Sequence, residues 1–102
     1  MSATLSLGDL RAEHFEPLVG QSFRVTHPEH QEALTLERVE RRVNQGLRRE
    51  PFSLFFRSES TTVLLNQHTH PFQHERLGRL EIFIVPIGRN QDGTFQYQAV
   101  FN

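Results

Sequence analysis

The sequence predicts an all-β fold, a small antiparallel barrel or sandwich of about six strands with one short N-terminal helix. After Gly20 the apolar residues recur at every second position rather than at helical spacing. Six such extended segments follow one another at short intervals, separated by turn residues. An open flat sheet would leave too many of the nine Phe residues in water, so the strands are expected to close around them.

The helix is expected near residues 7–16, where Leu7, Leu10, His14, Phe15 and Leu18 fall at helical spacing. Ser6 and Asp9 form an S-x-x-D start signal, and Pro17 and Gly20 limit the far end. An apolar stripe of about two turns is suited to plugging one end of a core. Next come Phe23 and Val25, which alternate with polar neighbours until His27-Pro28 breaks the run.

Ala33 to Val43 begins in strict alternation at Leu34 and Leu36, but the next large apolar residue is Val39, three positions on. That one-residue slip predicts a β-bulge near Glu37-Arg38 or a strand that leaves the sheet there. Asn44-Gln45-Gly46 reads as a turn, and Phe52 to Arg57 as a strand that is apolar on nearly both sides. After a polar loop over Ser58 to Thr62, an extended segment is expected from Val63-Leu64-Leu65 through His74, with Pro71 marking an edge strand or a bend.

Leu80 to Ile87 is the strongest β signal and is expected to be the central strand. Asp92-Gly93 marks a tight hairpin, after which Phe95, Tyr97, Ala99 and Phe101 share one face of the last strand. The core is accordingly expected to consist of Phe23, Val25, Leu34, Leu36, Leu54, Phe56, Leu80, Ile82, Ile84, Phe95, Tyr97 and Phe101.

With 102 residues the chain has room for one β domain, residues 1–102, and 36% hydrophobic residues suffice for a core without a staple. Cysteine is absent, which removes disulfides, thiolate nucleophiles and Cys-type metal sites. All 11 basic residues are Arg, so Schiff-base and P-loop lysine chemistry are excluded as well. A net charge of -1 argues against general polyanion binding, and no apolar run approaches the roughly 20 residues of a membrane helix. The N-terminus lacks the basic start and apolar stretch of a secretory signal, which leaves the cytoplasm or an assembled particle as the expected location.

The one metal-like cluster is His68, His70 and His74, which share a parity and would project from one face of a continuous strand. Against a metal centre stand Pro71 within the run and Glu75 on the opposite parity, so neither a metal nor any other cofactor is expected. Arg41, Arg42, Arg48 and Arg49 flank the Asn44-Gly46 turn and could form a basic knuckle, but Glu40 and Glu50 balance them, which disfavours nucleic acid as a partner. No nucleophile elbow, paired carboxylates or Asp-His pair is present to support catalysis. Thr94 to Asn102 carries neither proline nor charge, so either this strand is interior to the barrel and fully paired, or Phe95 to Phe101 and the surface beside it, with Gln96 and Gln98, form a self-contact or protein contact by strand addition or face packing.

Phe15 to Gly20 (F-E-P-L-V-G), His74 to Gly88 (H-E-R-L-G-R-L-E-I-F-I-V-P-I-G) and Tyr97 to Asn102 (Y-Q-A-V-F-N) occur in order. Together they resemble a small bacterial family of unknown function with an F-x-P-L-V-G start, an H-x-x-L-G turn, an L-F-L-V-P-x-G strand and a Y-x-A-V-F ending. The resemblance covers nearly the whole chain. It implies an association with phage-tail-collar-type proteins, hence a structural or assembly role in a tail-like or fibre-like apparatus, and it supplies no catalytic residue. Of the three histidines only His74 falls on a motif position. The expectation is thus a non-enzymatic structural or protein-interaction module without a membrane segment; the alternatives are a small cupin-like His-metal enzyme and an Arg-mediated nucleic-acid-binding module.

Overall fold

The computed structural model describes residues 10–26, 31–42 and 51–101. The expected helix start at Ser6 and Asp9, the Asn44-Gly46 turn, and Arg48 and Arg49 lie outside these residues. Among them a short helix α1 (Ala12–Phe15) continues as a 3-10 turn (Glu16–Leu18). Six strands follow: β1 (Ser22–Thr26), β2 (Gln31–Arg41), β3 (Phe52–Ser58), β4 (His68–His74), β5 (Gly78–Arg89) and β6 (Phe95–Phe101). They form a closed antiparallel barrel in the order β1-β2-β3-β6-β5-β4.

Leu10 and Arg11, within the expected helix, are not helical, and among the described residues the helix begins at Ala12. Arg11 is extended, with φ -132° and ψ 161°, and its backbone N–H is taken up by Nδ1 of His14 at 2.9 Å. Pro17 does not end the helical segment either; it stands in the first turn of the 3-10 piece, where a missing N–H costs nothing. Gly20, at φ +91°, turns the chain out of the helix, and its N–H donates to the Leu36 carbonyl at 2.7 Å, which docks the helical segment on β2.

All twelve expected core residues are buried on the inner wall. The helix adds Leu10, Phe15 and Leu18, and Phe15 plugs one end, 5.9 Å from Phe52 and Phe101 and 6.5 Å from Phe23 between ring centroids. Phe52 and Phe101 stack at 4.7 Å with rings only 3° apart. Side chains of this size fill a six-stranded lumen, each contributing about 1.5–3 kcal/mol by leaving water.

The slip in β2 is a β-bulge: the β2–β3 register shifts between Leu36 and Arg38, so that Leu36 and Val39 both turn toward the lumen. Two other expectations fail. Val63 to Leu65 is a loop, and strand structure resumes at His68. β4 is not an edge strand, because it pairs with β5 along its whole length and with β1 at Arg24↔Gln73 and Val25↔Phe72. Pro71 is accommodated because the pairing with β1 stops at Phe72, one residue away, so its missing N–H removes no ladder bond at that seam.

Candidate functional site

The histidines of β4 separate by depth. His68 is exposed, whereas His70 and His74 face the lumen and are buried. The Nε2 atom of His70 lies 2.9 Å from the Asn66 carbonyl. His74 accepts the Arg76 backbone N–H on Nδ1 at 3.0 Å, so its other nitrogen carries the proton and donates to Oε1 of Gln21 at 2.9 Å. Its ring packs 4.5 Å from that of Phe23. Burial pushes His74 below the usual imidazole range, with Glu75 opposing the shift and Arg76 adding to it. Among the described residues no group of three His, Cys, Asp or Glu side chains is placed to hold a metal ion.

The basic knuckle is drawn into the fold at Arg41, whose guanidinium grips the Glu16 carboxylate at 2.6 and 2.8 Å and ties the end of β2 to the 3-10 turn. That contact holds the Glu16 carboxyl below the usual carboxylate range. The backbone N–H of Arg42 donates to the Pro51 carbonyl at 2.8 Å.

Outside β1 lies an open hollow of about 550 Å³ over the small side chain of Ala33, bordered by Arg24, Gln73 and Glu75. A second hollow, of about 400 Å³, shares Arg24 and Ala33 and adds Glu32 and Glu59. Both mix a cation with carboxylates on exposed wall.

The outer wall of β6 and β5 differs in kind. Its strands are paired on both sides, β6 to β3 and β5 and β5 to β4 and β6, so strand addition at Phe95 to Phe101 has no free backbone edge to use. What β6 presents outward is a face. Gln98 stands between Phe55 and Val85 in the cross-strand register, and Phe83 on β5 and Val100 on β6 lie beyond this last pair of the β5–β6 ladder. Phe83 is 49% exposed and Ile87 and Val100 47% each. Phe55, though directed outward, is covered by the Arg38 guanidinium 3.7 Å above its ring.

Most charges around this face are matched within the chain, while Arg89 lies 4.9 Å over the Phe95 ring and donates to the Thr61 carbonyl at 3.3 Å. Arg38 meets Glu40 at 2.7 Å, Arg57 lies 3.7 Å from Asp92 and 3.9 Å from Glu37, and Arg79 lies 3.5 Å from Glu81. The predicted contact residues are also partly engaged: Gln96 donates its amide to Glu37, and Gln98 donates to the Ser53 hydroxyl at 3.4 Å. The sequence places Gln96 and Gln98 correctly on the outer face but misses Phe83, Val85, Ile87 and Val100. The signal for β5 is its parity: Ile82 and Ile84 point inward, so Phe83 and Val85 must point out.

Residues 10–101 match the family described as "Domain of unknown function (DUF6916)", and the chain belongs to it. No curated protein and no solved structure matches the chain.

Proposed function

We propose that this barrel is a non-enzymatic protein-interaction module whose docking face is the outer wall of β5 and β6. The observation that carries the reading is the set of Phe83, Val85, Ile87 and Val100 on the outer wall, where Arg38, Arg57 and Arg79 are each paired with a carboxylate within the chain. A contiguous apolar patch on a small protein is costly in water and marks a contact surface. The partner it fits is a protein surface that is itself uncharged at its centre, because a charge brought against this wall would lose water without gaining a counter-ion. A structural or assembly role in a phage-tail-like or fibre-like apparatus is consistent with such a face, and we retain it as part of the proposal.

Site-specific photo-crosslinking tests the reading. A benzophenone side chain in place of Gln98 in the full chain is expected to form adducts with one identified protein, and the same group in place of Arg24, on the wall of β1, to form few. Equal adducts from both positions, or adducts at 98 that persist in Phe83→Ser, overturn it.

A further inference from the structure

Four arginines of the strands each have a carboxylate of their own: Arg38 has Glu40, Arg41 has Glu16, Arg57 has Asp92 and Arg79 has Glu81. Arg24 has none. Among the described residues no side chain pairs with it, although it stands in mid-strand with β2 on one side and β4 on the other. The side chains of Ser22 and Gln73 are likewise without a partner among the described residues, and they border the same open hollow of about 550 Å³ outside β1. The amides of the β5–β6 wall differ, since Gln96 holds Glu37 and Gln98 holds Ser53. Three exposed donors therefore border one hollow with only solvent to satisfy them.

The hollow owes its depth to Ala33. Arg24 lies between Ala33 and Gln73 in the cross-strand register, so β2 sets no more than a methyl group beside it. The volume is within the range of small-molecule sites. Glu75 borders the hollow too, and it forms no ion pair with Arg24 or with any other described arginine. Opposite charges that share a hollow without meeting leave room for a group between them. A simple anion on Arg24 would be repelled by Glu75, and a dianion such as phosphate more strongly still. A ligand with a cation beside its carboxylate meets an opposite charge at both ends.

We propose that this hollow binds a small zwitterion, an amino acid or a related ammonium carboxylate, with its carboxylate on the Arg24 guanidinium and its ammonium on the Glu75 carboxylate. A guanidinium takes a carboxylate through two parallel N–H donors. The Ser22 hydroxyl and the Gln73 amide supply neutral hydrogen bonds beside it. Because these groups are exposed, binding is weak, about millimolar. The site is centred on β1, away from the β5–β6 face, so it stands or falls independently of the interaction-module reading.

Backbone amide chemical shifts of the full chain, recorded at fixed ionic strength, test the proposal. Glycine, β-alanine and γ-aminobutyrate serve as zwitterions of increasing charge separation, against acetate, methylammonium and inorganic phosphate. At least one zwitterion is expected to give saturable shifts at Arg24, Ala33 and Gln73, and to bind about threefold or more tighter than acetate, methylammonium or phosphate. Arg24→Gln is expected to abolish the saturable shifts. Ala33→Leu, which leaves every charge in place and fills the hollow, is expected to weaken binding by about tenfold, and Glu75→Gln to bring that zwitterion down to the level of acetate. Unchanged circular dichroism shows that each variant folds. No saturable shift with any of the three zwitterions, phosphate binding as tightly as the best of them, or binding indifferent to any one of the three substitutions overturns the proposal.

Discussion

The Tyr97 hydroxyl accepts the backbone N–H of Leu65 at 2.9 Å, joining the inner face of β6 to the loop that crosses the barrel end opposite the helix. The loop leaves β3 at Ser58, whose hydroxyl donates to the Ser60 carbonyl and accepts the Phe95 N–H, and it carries Leu65 into the core. Both ends are therefore closed from inside, one by Phe15 and the other by this loop.

Tyr97→Phe keeps the ring and removes the acceptor, leaving the Leu65 N–H buried without a partner. The expected loss is about 1–3 kcal/mol, read as a lower urea midpoint. Burial also raises the Tyr97 hydroxyl pKa, while the Leu65 N–H works in the opposite direction. Since the folded state favours the neutral phenol, this group's contribution is full below about pH 10 and is lost as pH rises through the higher folded value. A Tyr97→Phe variant should lose less stability between about pH 9 and 11, one unit either side of the free phenol, than the wild type.

His74 gives the opposite pH dependence. Its folded pKa is lowered, chiefly by burial, so its contribution is present above about pH 6.5 and is lost as pH falls through the lower folded value. Protonation would also place a second N–H on Nδ1, against the Arg76 N–H it now accepts. His74→Gln is expected to flatten the fall in urea midpoint between about pH 7 and pH 5, the interval around the free imidazole value. An unchanged slope would show that another group controls acid sensitivity.

Local chemistry made much of the fold legible. The period-two runs mark the strands, the missing beat between Leu36 and Val39 marks the bulge, and Asp92-Gly93 marks the last hairpin. That the strands close was legible from the Phe content, but the closing seam was not, because β1 meets β4 at Arg24↔Gln73 and Val25↔Phe72, a pairing nearly fifty positions apart that no local pattern encodes. For the same reason Pro71 reads as an edge signal although β4 is enclosed. The candidate face was half legible: the polar amides at Gln96 and Gln98 break an apolar alternation, whereas Phe83 and Val85 stand in an unbroken apolar run that reads as buried on both sides. His74 and Gln21, 53 positions apart, meet only in the folded chain.

Phe15→Ala tests whether the short helix is part of the core or only an adjunct to it. Phe15 is fully buried and lies near Phe23, Phe52 and Phe101, so truncation would open the barrel end. The expected cost is about 3–5 kcal/mol, comparable to losing a large central side chain. A loss no greater than that of a surface substitution would place the helix outside the cooperative unit.

Gly93 and Gly88 form a matched pair for the last prediction. Gly93 sits in the β5–β6 turn at φ +90°, where its N–H donates to the Asn90 carbonyl at 3.0 Å. The turn is further fixed by Thr94, whose N–H and hydroxyl donate to Oδ1 of Asp92 at 3.0 and 2.5 Å. A Cβ at position 93 would lie 3.3 Å from Cγ2 of Thr61 and would have to hold a left-handed backbone, so Gly93→Ala should cost about 1–2 kcal/mol. At Gly88 the backbone is ordinary and the space open, so Gly88→Ala should be neutral or stabilising by up to about 1 kcal/mol, because alanine narrows the unfolded ensemble. Parallel urea melts of the two variants separate the cases. Equal losses would mean that the bulge between Pro86 and Gly88 itself requires glycine.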